Sequence, residues 1–80
     1  MPYITKEQRE ELYDRDPVNA GELQYLIAVM ISDYISDKDQ YEYQTLNDVM
    51  GALAGAQQEF YRKVVAPYED KKELINGPVY

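Results

Sequence analysis

The sequence predicts a small all-α domain, and two patterns along its 80 residues support that prediction. The first is a broad apolar stripe at the helical period between Leu23 and Ile35. The second is an apolar seam from Leu46 to Val64, in alternating steps of four and three residues. The short polar connection between them is usual for neighbouring helices. We therefore expect a single domain over residues 1–80, with helices two and three antiparallel.

Helix one is predicted to follow Thr5, whose hydroxyl suits the N-cap, and to cover residues 6–14. Gln8 lies three residues after Thr5, so the two side chains can form a capping box. Large apolar residues are few, and most of this helix is expected to face solvent. Asp16-Pro17 ends it, because the residue before a proline avoids the α region.

Helix two is predicted to start near residues 19–21 and to end at about Ser36. Its apolar face is so wide that we expect it to be the most buried helix. Met30 of this helix and Leu53 of helix three are predicted core residues. The polar stretch 37–44 that follows is typical of a loop.

Helix three is predicted to begin at Thr45, its N-cap, and to carry the second seam. Pro67 lacks a backbone N–H, so the helix is expected to kink there and to restart as a short C-terminal helix over 68–75. Asn76-Gly77 stops that helix. Gly51 and Gly55 lie one turn apart, and two interpretations stay open: another helix crosses closely there, or the glycines only loosen the helix.

The composition argues against several classes of function. Fifteen acidic residues against eight basic ones give a net charge of −7, which disfavours binding to nucleic acid or anionic lipid. The absence of cysteine and histidine removes the thiolate nucleophile, the commonest general base and the usual zinc ligands. The acids around residues 33–42 do not match an EF-hand loop. We expect no enzyme, no cofactor and no metal site.

Two further features concern location and assembly. The chain shows no apolar targeting segment and no stretch long enough to span a membrane, so we expect it in the cytoplasm.

The chain contains nine tyrosines and one phenylalanine, and nine tyrosines are more than so small a core needs. Tyrosine suits contact surfaces, so we expect a homo-oligomer, with a two-fold dimer favoured.

A locally basic, aromatic segment supplies the candidate binding residues Tyr61, Arg62, Tyr68 and Lys72. Aromatic faces beside cations can stack a base and hold a phosphate. An alternative is a solvated face with Glu59–Lys63 and Glu69–Lys72 ion pairs, which leaves Arg62 freer to reach outward.

A structural account of the same segment also stays open. The Arg62 guanidinium would satisfy carbonyls freed at the proline kink, and the Tyr68 ring would cover helix two.

Several short motifs are spread along the whole chain: Met1-Pro2-Tyr3-Ile4, Gly21-Glu22-Leu23 with Tyr25, Tyr61-Arg62 with Val64, Pro67-Tyr68-Glu69-Asp70-Lys71-Lys72, and Asn76-Gly77 with Val79-Tyr80. With them the chain resembles a family of small proteins of unknown function associated with tailed phages, prophages and their bacterial hosts. Pro78 departs from the acidic residue expected there. The resemblance implies a phage-linked origin and no enzymatic activity, and it assigns no site residues.

Two hypotheses of function follow. In the first, the chain is a non-enzymatic acidic interaction protein that binds and modulates a host or viral protein by charge complementarity. In the second, it is a helical oligomer that sequesters a small nucleotide at the Tyr61 to Lys72 face, acting against a host defence. The net charge favours the first hypothesis, whereas the local basic, aromatic cluster and the family residues favour the second.

Overall fold

A computed structural model describes residues 1–38 and 42–80, and within these residues the chain is all-α, as predicted. No strand occurs in the described parts. The helical elements are α1 (Lys6–Glu11), α2 (Ala20–Ile35), α3 (Tyr43–Phe60), a π-helical turn (Tyr61–Val65) and α4 (Ala66–Asn76). The chain forms two compact units, Met1–Thr45 and Leu46–Tyr80, which are described separately. The single domain and the antiparallel arrangement of helices two and three stay predictions.

The capping box predicted for helix one is present. The Gln8 N–H donates to the Thr5 hydroxyl at 3.1 Å, and the Gln8 side chain accepts from the Thr5 N–H at 2.9 Å. The helix ends at Glu11, three residues earlier than predicted. The chain then tightens into a turn, in which the N–H groups of Tyr13 and Asp14 donate three residues back. Such i→i+3 bonds commonly close a helix end.

Helix α2 begins as predicted, with Asn19 as its N-cap. The Asn19 side chain accepts from the Glu22 N–H at 2.9 Å. Gly21 allows the backbone of Met1 to approach α2 closely, because a Cβ there would lie 3.1 Å from the Met1 carbonyl oxygen. The N-terminal segment therefore lies against the first turn of α2. The Met1 amino group also donates to the Gln24 side chain at 2.6 Å.

A cation–π contact joins the first two helices. The Arg9 guanidinium of α1 lies over the Tyr25 ring of α2, 5.0 Å from its centroid. Both side chains are half-buried. The largely polar α1 therefore contacts α2 in part through the Arg9 cation.

The predicted core residues are wrong. Met30 is 74% exposed and Leu53 is 39% exposed. Among the described residues the buried side chains are Glu22 and Thr45, and neither is apolar. Helix α2 is the most buried of the described helices, as predicted, but none of its apolar side chains is fully buried. Periodicity shows which side chains share a face, but it does not show what covers that face.

The start of helix three also differs from the prediction. The helix begins at Tyr43, so Thr45 is its third residue and not its N-cap. The Thr45 side chain is buried, with 6% of its surface exposed. Of the predicted loop 37–44, residues 39–41 lie outside the described residues, and 43–44 belong to α3.

The glycine pair of α3 lies in open space. A Cβ placed on Gly51 or Gly55 would have nothing described within 4 Å. Within the second unit, nothing therefore crosses the helix closely there. Both interpretations of the glycine pair stay open, because the first concerns a helix from outside this unit.

The π-helical turn is how the chain accommodates Pro67. The Ala66 N–H donates five residues back to the Tyr61 carbonyl, and α4 follows with Pro67 in its first turn. This bond replaces the α-helical bond that the Ala66 N–H would make to the Arg62 carbonyl, one residue before the proline that cannot donate. The predicted restart is confirmed, and α4 is longer than predicted at each end. It ends at Gly77, whose φ of 89° is in the left-handed region that favours glycine.

Candidate functional site

The four predicted site residues follow one another along the second unit. Tyr61 and Arg62 lie in the π-helical turn, and Tyr68 and Lys72 lie one turn apart on α4. The rings of Tyr61 and Tyr68 are 53% and 59% exposed. Both rings can therefore be reached from solvent.

Tyr61 is joined to α4 by a hydrogen bond. Its hydroxyl donates to the Glu69 carboxylate at 3.0 Å. This bond to Glu69, helped by the negative charges of Glu69 and Asp70, raises the pKa of the Tyr61 phenol. The phenol is therefore held in its neutral, donating form, and the bond connects the π-helical turn to the helix after Pro67.

Arg62 is not the free cation that the sequence predicted. Its guanidinium donates to Glu59 at 2.9 Å, so Glu59 pairs with Arg62 and not with Lys63. Residues three and four positions along a helix both lie beside Glu59, so spacing alone does not choose between them. The Arg62 side chain is 70% exposed, and an exposed pair of this kind contributes little to stability.

The structural account predicted different contacts for Arg62 and Tyr68. Within the described residues, Arg62 makes no hydrogen bond to a helix carbonyl, so its predicted role at the kink is not seen. Tyr68 carries the Lys72 ammonium over its ring, 5.7 Å from the centroid. Glu69 accepts from Tyr61, and the predicted Glu69–Lys72 ion pair is not formed in the described part of the chain.

An open groove of about 380 Å³ lies along α4 and the residues after it, and we name it the C-terminal groove. It brings together Tyr61 and Lys72, whereas Arg62 and Tyr68 do not line it. Three carboxylates and the last tyrosine share the lining: Glu69, Asp70, Glu73 and Tyr80. Three acids against one lysine make the groove acidic. It therefore favours a basic ligand over an anionic one.

The first unit contains a polar cluster that the sequence reasoning missed. The Glu22 carboxylate is 2% exposed and accepts from the Val18 N–H at 3.0 Å and from the Gln8 amide at 3.1 Å. The Arg15 guanidinium donates to both of its oxygens, at 2.7 and 2.9 Å. Arg15 also donates to Glu11 at 2.9 Å. A buried charge is thus fully paired, as burial requires.

The protonation of this cluster follows from its geometry. Hydrogen bonds from Arg15, Val18 and Gln8 outweigh the effect of burial and lower the pKa of Glu22 to about 2. The bonds to Glu22 and Glu11 raise the pKa of Arg15. The pair is therefore charged at every physiological pH.

A sequence signal for Glu22 did exist. The tetrapeptide Asn19-Ala20-Gly21-Glu22 places an acid three residues after an N-cap, which is the spacing of a capping box. In a capping box the Glu22 side chain would return to the Asn19 N–H. It accepts from the Val18 N–H instead, one residue earlier. No pattern indicated its pairing with Arg15.

Two kinds of feature are absent from the described residues. No group of three or more acids lies where it could hold a metal ion. No helix there has the length and apolar character needed to cross a membrane.

Comparison with known proteins identifies the family. Residues 1–79 match the model of a family described as Domain of unknown function (DUF6899). Since the match covers nearly the whole chain, the protein belongs to this family. Neither the comparison with curated proteins nor that with solved structures gave a match.

Proposed function

We propose that the protein is a non-enzymatic acidic interaction protein of the phage type, which binds and modulates a basic host or viral protein in the cytoplasm of the host. The observation that supports this proposal is the C-terminal groove, where exposed aromatic rings lie beside three carboxylates. No group of acids among the described residues competes with it as a metal site.

The aromatic side chains provide the contact area. Tyr61 and Tyr80 line the groove and are exposed, and Tyr68 is exposed on α4 outside the groove. Tyrosine is enriched among the residues that dominate binding energy, because its ring buries a large area and its hydroxyl still finds a partner. A partner side chain inserted between the Tyr61 and Tyr80 rings gains apolar contact.

The carboxylates provide selectivity. Glu69, Asp70 and Glu73 face the groove against Lys72 alone, and the chain as a whole carries a charge of −7. Complementary charge speeds encounter with a basic partner and repels acidic ones. Nucleic-acid-binding proteins present such basic surfaces.

The nucleotide hypothesis has one observation in its favour. Lys72 lies over the Tyr68 ring and also lines the groove beside Tyr61. A base would stack on a tyrosine ring, and a phosphate would pair with the Lys72 ammonium. The three carboxylates oppose a phosphate, and Arg62 pairs with Glu59. We therefore rank this hypothesis second.

The test captures partners from a bacterial lysate and identifies them by native mass spectrometry. The wild type is compared with a groove variant, E69Q/D70N/E73Q. The matched control, E7Q/E10Q/D14N, removes the same number and kind of exposed acids from the first unit. A captured protein counts only if it is basic and binds again in purified form.

We expect the wild type and the control to bind the purified partner, and the groove variant to bind at least about tenfold more weakly. Equal binding by all three proteins would contradict the proposal. A retained nucleotide in place of a protein would favour the second hypothesis.

A further inference from the structure

The C-terminal groove combines negative charge with aromatic surface inside one compact unit. Its two exposed rings, Tyr61 and Tyr80, share a lining with the carboxylates of α4, and every residue of that lining belongs to the second unit. The volume of about 380 Å³ is at the lower end of the roughly 300–1,000 Å³ usual for ligand sites. The groove therefore suits a single long side chain of a partner.

Two carboxylates of the groove are open to a ligand. Glu73 lies three positions after Asp70 and four after Glu69, so it is the neighbour of both on the surface of α4. One oxygen of Glu69 accepts from the Tyr61 hydroxyl. Within the described residues, the side chains of Asp70 and Glu73 make no hydrogen bond or ion pair. Their oxygens can therefore accept from the donors of a bound group.

The lysine of the groove does not neutralise these carboxylates. The Lys72 ammonium lies 5.7 Å from the centroid of the Tyr68 ring, and Tyr68 is not part of the lining. Three carboxylates against one ammonium leave the groove a formal excess of two negative charges. A cationic side chain is the occupant that this excess favours.

Arginine uses this combination of groups better than lysine does. A planar guanidinium stacks on an aromatic face and presents parallel N–H groups to carboxylates, whereas an ammonium is a compact point charge. The first unit contains both kinds of contact. Arg9 lies over the Tyr25 ring at 5.0 Å, and Arg15 donates to both oxygens of Glu22. The C-terminal groove offers the same two contacts to a group from outside the chain.

We propose that the C-terminal groove binds an arginine side chain of the basic partner. The guanidinium lies against the Tyr61 ring, and its N–H groups donate to the carboxylates of Asp70 and Glu73. This proposal rests on the proposed function, because it names the residue type that the groove selects on the basic protein. A surface rich in lysine and poor in arginine is bound much more weakly.

The first experiment compares three pentapeptides that differ only in one central residue between glycines: arginine, lysine or citrulline. Citrulline has the shape of arginine without its charge. Binding to the full chain is followed by NMR of labelled tyrosine rings. We expect the arginine peptide to shift the Tyr61 and Tyr80 signals and to bind at least about tenfold more tightly than the other two peptides.

The second experiment tests each contact with variants of the chain. D70N/E73Q removes both open carboxylates and should weaken binding of the arginine peptide at least about tenfold. The matched control, E7Q/D14N, removes one exposed glutamate and one exposed aspartate from the first unit and should bind as the wild type does. Tyr61→Leu removes the aromatic face and should bind about threefold more weakly than Tyr61→Phe, which keeps the ring.

The outcomes separate the arginine contact from the proposed function. Equal binding of the arginine and lysine peptides, binding that D70N/E73Q leaves unchanged, or equal binding by Tyr61→Leu and Tyr61→Phe would overturn the inference. If no peptide binds while E69Q/D70N/E73Q still loses a captured basic protein, the inference is overturned and the proposed function is supported. If the arginine peptide binds as expected and no basic protein is captured, the proposed function fails and the selectivity for arginine is supported.

Discussion

At the scale of single residues, the Glu22 carboxylate organises the first unit. It receives hydrogen bonds from Gln8, Arg15 and Val18, which are up to 14 positions away in the sequence. A buried ion pair is weak evidence for net stability, but breaking one partner leaves the other unpaired. No described apolar side chain of the first unit is fully buried, so we expect this cluster to fix how α1 and α2 meet.

We predict that Glu22→Gln lowers the melting temperature of the first unit by more than about 8 °C. The neutral amide cannot replace a carboxylate that receives both guanidinium nitrogens of Arg15. Thermal unfolding followed by circular dichroism measures the change. Glu10→Gln, an exposed acid of α1, is the control and should shift the melting temperature little.

The same residue predicts how stability depends on pH. The pKa of Glu22 is about 2 in the folded chain against its usual 4.5, so the folded form binds fewer protons between these values. Its stabilisation is complete above pH 4.5 and is lost as the pH falls towards 2. Urea unfolding at several pH values measures this loss. Glu22→Gln should flatten the dependence of stability on pH in this range. The same slope in Glu22→Gln as in the wild type would contradict the assignment of this loss to Glu22.

The glycines of α3 give a second prediction at this scale. Gly51→Ala and Gly55→Ala should each stabilise the helix by about 1 kcal/mol, because both sites are helical and open. Urea denaturation measures the gain. A loss of stability instead would show that a neighbour packs closely on this face.

At the scale of elements, Pro67 sets the path of the second unit. The π-helical turn precedes it, and Tyr61 then reaches Glu69 on the next helix. In a regular α-helix, two residues eight positions apart are separated by about 12 Å along the axis. The turn therefore helps to create one wall of the C-terminal groove.

We predict that Pro67→Ala allows a regular α-helix and weakens the Tyr61–Glu69 hydrogen bond. That bond raises the pKa of the Tyr61 phenol, so the pKa should fall towards its usual value in this variant. NMR titration of a chain with labelled tyrosine rings measures it, and Glu69→Gln serves as the reference for a lost carboxylate. An unchanged pKa in Pro67→Ala would show that the π-helical turn is not needed for the bond.

At the scale of the whole molecule, net charge and exposed apolar surface have opposite effects on association between chains. The charge of −7 keeps chains apart, while large apolar side chains are exposed in both units. We predict a sharp minimum of solubility near pH 4.3, where the net charge vanishes. Turbidity against pH measures it. A solution that stays clear through this pH would show that the apolar faces are covered.

The sequence predicted the helices better than the contacts between them. The Thr5 cap, the start of α2 near Asn19, the Pro67 restart and the Gly77 stop all depend on residues within a few positions of each other. The core residues and the Glu59 pairing could not be predicted in this way. Helical spacing gives Glu59 two equivalent neighbours, Arg62 and Lys63. It also does not show which other element packs on the apolar face of a helix, so it cannot identify the core.

The sequence by itself therefore determined the all-α class, most helix ends and the acidic, tyrosine-rich surface. Only the tertiary structure decided that Glu22 joins Arg15 and Gln8, and that Tyr61 and Lys72 share a groove while Arg62 does not. The physical reason is the separation along the sequence over which each kind of interaction acts. Helix signals act between residues three or four positions apart, whereas these contacts depend on how the chain turns between its helices.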